Sequence, residues 1–139
     1  MNLSRDMRKT FTDEIHYVVK QMRNTDDLLA KLYFFSAVYG AAFRLLNMQF
    51  APELVFAHHV LNNAYNDIHA VVSSVSRGQE TFVRVPPRLF NRLEEALEEL
   101  AAKVERDEEL YPELQKIANL AYSTTGNGYY LYLKGLLHV

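Results

Sequence analysis

Residues 58–69, HHVLNNAYNDIH, gather three of the chain's five histidines with three asparagines and an aspartate. Imidazole ligates metals and, with an ordinary pKa of about 6.5, moves protons near neutral pH. Wound on a helix, these residues separate onto different faces. His58 joins an apolar seam with Leu54, Leu61, Tyr65, Ile68, Val72 and Val75. His59, Asn62, Asn66, His69 and Ser73 step by three and four into a polar stripe beside that seam, flanked on the far side by Asn63 and Asp67.

Metal binding by the stripe meets a geometric objection. His59 and His69 are about 15 Å apart along a helix axis, whereas metal–nitrogen bonds are about 2 Å. The HExxH spacing is absent, and Asp13-x-x-His16 occurs once where di-iron bundles use a pair of Glu-x-x-His motifs. No metal and no cofactor are expected. General-base catalysis by His59 or His69 would need a nucleophile, and no GxSxG elbow, GxGxxG turn or phosphate-cradling loop supplies a partner. The chain has no cysteine, which excludes disulfides, thiolate zinc sites, iron–sulfur clusters and thiol nucleophiles. A non-enzymatic role is therefore expected. His58 should be a core histidine with a hydrogen-bond partner. The stripe should be a polar layer facing solvent or a partner helix, or alternatively a small-ligand site built from His59, Asn62, Asn66 and His69.

Arginine supplies the second chemistry. Arg77, Arg84, Arg88 and Arg92 stand against Glu80 alone, with Phe82 among them, a pattern that can contact RNA or phosphate. Residues 94–113 then hold nine acidic side chains against Lys103 and Arg106. The arginines are expected to pair with that acidic helix, in the same or a neighbouring subunit. A net charge of −2 offers no general attraction for a polyanion, and nucleic acid is not the expected partner.

The elements that must position these residues are helical. Met7, Phe11, Ile15, Val18 and Met22 define a first helix over about residues 4–23. Asn24 or Thr25 caps a second, with Asp26 and Asp27 favourably placed at its positive end. Pro52 opens the third, and Gly78 ends it. After Pro86 and Pro87 a fourth helix presents Leu89, Leu93, Leu97, Leu100 and Val104 on one seam, with Glu94, Glu95, Glu98 and Glu99 on other faces. Pro112 opens a fifth. TTGNG, residues 124–128, reads as a stop or kink, and YYLYLKGLLHV as a short buried helix. Residues 81–85 have strand-like composition but no second strand to pair with, which predicts an extended loop or pairing with their copy in a dimer. The expected fold is an all-α antiparallel bundle of four long helices plus one or two short ones, in a single domain over residues 1–139.

The second helix carries apolar residues nearly all round. Leu28, Leu32, Phe35, Tyr39, Ala42 and Leu46 suffice for a bundle core; Phe34, Val38, Ala41, Leu45 and Met48 then form a further face, expected to be an oligomer interface. Small Ser36, Ala37, Gly40 and Ala41 favour close helix approach. The expected assembly is a homodimer, with room for an unidentified protein partner, and Ala41→Glu is expected to dissociate it without loss of helix. The amphipathic N-terminus lacks the apolar core of a signal peptide. The most apolar run, residues 32–43, falls short of the about 20 residues that span a bilayer. A soluble, cytoplasmic protein acting as a self-associating interaction module is the reading, with no membrane partner.

Overall fold

Local signals set where the helices begin. Ser4 accepts from the Met7 N–H at the head of α1 (Arg5–Arg23), Asp27 from the Leu29 N–H at the head of α2 (Leu28–Met48), and Thr125 from the Gly128 N–H in α6 (Gly126–Leu133). Each cap satisfies a backbone donor that a helix leaves free at its start. Pro52 opens α3 (Pro52–Ser76), and Pro112 lies in the first turn of α5 (Tyr111–Tyr122), where no intrahelical donor is lost. α4 spans Leu89–Glu105. Gly78, at φ +70°, turns the chain off the end of α3 in a left-handed conformation that side chains disfavour. These six helices and no strand make up the computed structural model, which describes residues 1–139.

Packing closes α1 to α5 into a ring in the spatial order α1, α2, α3, α5, α4, and α6 packs on no helix but α5, with its Tyr129 edge-on to Phe82. At one end of the α1–α4 pair, Arg8 donates to the Glu105 carbonyl at the tail of α4. At the other, Arg23 reaches Glu94 and Glu98, so these helices run antiparallel. The Leu110 N–H at the head of α5 donates to Glu53 at the head of α3 (2.8 Å), which makes α3 and α5 a parallel pair. Residues 77–88 cross the end of the ring to reach α4, leaving the place beside α3 for α5. Within them, residues 81–85 form an extended loop.

The ring order explains a reversal on α2. A helix with neighbours on both sides buries two flanks. Tyr39 and Phe43 turn rings toward His58 and Tyr65 of α3. Val38, Ala41 and Leu45 are 0%, 3% and 5% exposed and belong to the central apolar cluster. The expected outer face Phe34–Val38–Ala41–Leu45–Met48 is thus mostly interior: Phe34 is half-buried and Met48 alone is fully outside. Ala41 is a core residue. By length and composition α2 could cross a membrane, a test that core helices also pass; here six of its residues are buried in the bundle.

The C-terminal segment also departs from expectation. α6 stops at Leu133, only its Gly128 is buried, and Tyr130, Leu133 and Leu136 are exposed, because α6 has a single helical neighbour. The TTGNG break has a specific cause. The hydroxyls of Ser123, Thr124 and Thr125 donate to the carbonyls of Leu120, Ala121 and Tyr122 at 2.6–2.7 Å, satisfying the last turn of α5 from its own continuation. Gly128 lies against the Tyr122 carbonyl so closely that a Cβ would fall 1.6 Å from the oxygen.

Candidate functional site

α3 displays the histidine stripe on its outer surface. His59 and Asn66 are exposed, and Asn62, His69 and Ser73 are partly so. His59 Nε2 lies 3.1 Å from Asn63 Nδ2 on the same helix, and His69 stacks on Tyr65 with ring centroids 5.4 Å apart. No group of three or more His, Asp or Glu side chains is disposed to hold a metal ion. The four proposed ligand-binding residues stay on one helix face and converge on nothing. His58 departs from its expected role: its neighbours are aromatic rings, Phe43 at 5.2 Å and Tyr39 at 6.1 Å, rather than a hydrogen-bond partner. Phe43, His58, Tyr39, Tyr65 and His69 form a continuous run of rings along the α2–α3 seam.

Asp67, beside the stripe, is partly buried, and desolvation pushes its carboxyl above the ordinary aspartate range. Folding therefore raises this group's affinity for its proton, and stability falls as pH rises through the window between the ordinary and the raised value. Asp67→Asn should melt above the parent at neutral pH, with the advantage vanishing at about pH 3, below the ordinary aspartate pKa. Melting curves of both proteins across that range test this; an advantage independent of pH would trace to packing instead.

The arginine segment is spread out. Arg77, the C-cap of α3, donates to the Ser73 hydroxyl (2.6 Å), and Arg84 donates to the Thr81 and Val83 carbonyls. Arg88 and Arg92 are exposed at the head of α4. None of the four forms an ion pair within the chain, so the expected pairing with the acidic helix of the same subunit is not made. The reason is position. The glutamates of α4 meet Arg23 of α1, Lys31 of α2 and Lys116 of α5, because those helices flank or face α4. Glu94 is 4% exposed, held by Lys31 at 3.3 Å and Arg23 at 3.5 Å.

The surface that does assemble is the outward side of α2. Leu29, Tyr33, Ser36, Gly40, Phe43 and Asn47 recur at steps of four, three, four, three and four, so they share one face. None is charged. Tyr33 is 73% exposed, Phe43 51% and Leu29 37%. Beside this seam an open groove of about 410 Å³ between α1 and α2 is lined by Glu14, Tyr17, Val18, Ala37, Gly40 and Arg44. Arg44 and Glu14 pair across it, leaving the rim neutral. The alternating step was legible in the sequence, but a competing apolar stripe on the same helix obscured it. Comparison with protein-family models, with curated proteins and with solved structures finds no match to the chain.

Proposed function

We propose that this protein is a non-enzymatic, self-associating helical module that forms a homodimer through the outward seam of α2, in a cytosolic setting consistent with its lack of cysteine. The observation that carries this reading is Gly40. Glycine inside a helix costs about 1 kcal/mol relative to alanine, yet a Cβ built here meets nothing within 4 Å. No packing within the chain requires the glycine. A second helix crossing at that point supplies a reason for it.

The seam favours a second copy over an unrelated partner because it is self-complementary. Turned end for end about the midpoint between Ser36 and Gly40, it sets Leu29 against Asn47, Tyr33 against Phe43 and Ser36 against Gly40. Small residues then meet at the crossing, where backbones approach, and an aromatic pair closes each side. Aromatic pairs contribute about 0.5–1.5 kcal/mol each beyond their area. A two-fold arrangement of this kind is isologous, the commonest form of dimer. Tyr17, 60% exposed beside the groove, widens the face.

Tyr33→Glu should convert the protein to a monomer in native mass spectrometry while leaving its helical circular dichroism and melting temperature nearly unchanged, because Tyr33 is outside the core. A wild-type monomer at working concentration removes the proposal. A dimeric Tyr33→Glu moves the interface elsewhere. Orientation is testable independently, since a cysteine placed at Leu29 would be the only thiol in the chain. Spin labels there should lie about 27 Å apart along the axis in the antiparallel pair, against an interaxial distance of about 10 Å in a parallel one.

The second reading is contact with a polyanion through Arg77, Arg84, Arg88 and Arg92, favoured by their freedom from carboxylate partners. Retardation of single-stranded RNA in a gel at low salt tests it. The His59–Asn62–Asn66–His69 stripe has no comparable support.

A further inference from the structure

We infer that the groove between the head of α1 and the tail of α4 is an oxyanion site, and that a phosphate group, free or carried on a small ester, is the ligand it fits. The groove measures about 460 Å³ and is lined by Arg5, Arg8, Lys9, Thr12, Asp13 and Glu105, with no apolar residue among them. It lies on a different face from the α2 seam and does not depend on self-association.

Arg5, Arg8, Lys9 and Thr12 follow one another at three, one and three residues, which sets all four on one side of α1. Arg8 is held in place because its Nη1 donates to the Glu105 carbonyl at 2.7 Å. Its Nε–H is nevertheless buried without a partner. Neither Arg5 nor Arg8 forms an ion pair; Lys9 is paired with Asp13 at 2.7 Å. That pairing keeps the Lys9 amine protonated, with the Asp13 hydrogen bond the larger cause and its charge the next. Glu105 offers its carbonyl to the site, and its carboxylate pairs with none of the three cations.

Thr12 is the independent observation. It is 5% exposed, and its hydroxyl oxygen has no hydrogen-bond partner. A helical threonine ordinarily bonds back to the carbonyl one turn earlier, as Thr10 does here to Asp6 at 2.9 Å. Buried polar groups left unpaired destabilise a fold, and a native protein retains them where something else completes them. Two such groups, a cationic N–H and a hydroxyl, belong to residues that line one polar groove with two further cations, and lie just beneath its surface. A tetrahedral oxyanion presents enough acceptor oxygens for Arg5, Arg8, Lys9 and Thr12 together, more than a planar carboxylate does. Arginine and phosphate also match in geometry and charge.

The test is titration of the full chain with inorganic phosphate and, separately, phenyl phosphate, followed by amide resonances of residues 5–13 and 102–106, with sodium chloride at matched ionic strength as control. Saturable shifts at these residues with phosphate at millimolar concentrations, absent with chloride, are expected. Tighter binding of the phenyl ester would identify an esterified ligand, and equal or weaker binding would identify free phosphate. Arg5→Gln, which removes no contact within the chain, should weaken binding about tenfold. Thr12→Val should raise the melting temperature of the ligand-free protein, because it removes an unpaired buried hydroxyl, and also weaken phosphate binding. No saturable shift, or the same shift with chloride, overturns the site. A Thr12→Val protein that melts higher but binds phosphate as tightly as the parent overturns the role of Thr12 and with it the argument for this groove.

Discussion

Ala41→Glu should abolish cooperative folding. Ala41 is 3% exposed on α2 and packs within the central cluster that includes Val38, Ala42 and Leu45. Glutamate adds four heavy atoms beyond the methyl, and overpacking of that kind costs about 1–3 kcal/mol. It also brings a carboxylate into apolar surroundings, where an unpaired charge costs several kcal/mol more or must take up a proton. Together these reach about 4 kcal/mol or above, a large share of the 5–15 kcal/mol that holds a typical domain together. The expected result is a circular dichroism melt with no sigmoidal transition and reduced helical signal at 25 °C. The contrast with Tyr33→Glu is the informative part. The same charge, placed two turns earlier on the neighbouring, outward flank of the same helix, should leave the fold intact and change only the oligomeric state. Should Ala41→Glu melt like the parent, the two flanks of α2 have been assigned to the wrong sides.

Lys31→Met should have the next largest effect. Lys31 lies with its amine 3.3 Å from the buried Glu94 carboxylate and also donates to the Met22 carbonyl. It ties α2 to the end of α1 and to α4, a helix on which α2 does not itself pack. Methionine keeps most of the apolar stem and removes the charge. Glu94 is then left with Arg23 at 3.5 Å, and the Met22 carbonyl loses its lysine donor. Breaking a buried ion pair from one side costs about 3–5 kcal/mol, which for a chain of this length lowers the melting temperature by roughly 10 °C. The double variant Lys31→Met with Glu94→Leu should recover most of that loss, because replacing both members of a buried pair with apolar groups is often close to neutral. Arg23 keeps Glu98 at 2.6 Å in that background. A double variant no more stable than Lys31→Met would show that Glu94 contributes through packing rather than charge.

These predictions depend unequally on what the chain reveals in one dimension. The starts of α3 and α5 were legible at Pro52 and Pro112 and the end of α3 at Gly78, all within a residue or two, whereas TTGNG reads as a stop or a kink without deciding between them. Residues 81–85 read as an extended loop or as a segment paired with its copy, and within one chain they form the loop. Such features involve groups a few positions apart: caps, turns and the hydrogen bonds of single helical turns. The hydroxyl row Ser123–Thr124–Thr125 was an available signal of the same kind, since hydroxyls that follow an apolar helix can turn back onto its last carbonyls.

Long-range placement was not legible in that way. α2 presents two apolar stripes, and a period of 3.6 residues cannot say which flank meets α1, which meets α3 and which is left outside. Glu94 reads as one of four surface glutamates; only the convergence of Lys31 and Arg23 makes it a buried anion. His58 reads as a core histidine in need of a polar partner, and the approach of Tyr39 and Phe43 gives it rings instead. By itself, the sequence determined which segments are helical, several of their ends (though not the cap of α2, which is Asp27 rather than Asn24 or Thr25), and the exclusion of cysteine-based chemistry. Only the tertiary structure decided the ring order, the parallel α3–α5 pair and the charge partners. Helix formation is decided among near neighbours, whereas apolar burial is non-directional and is settled only when every helix has competed for its place in the ring.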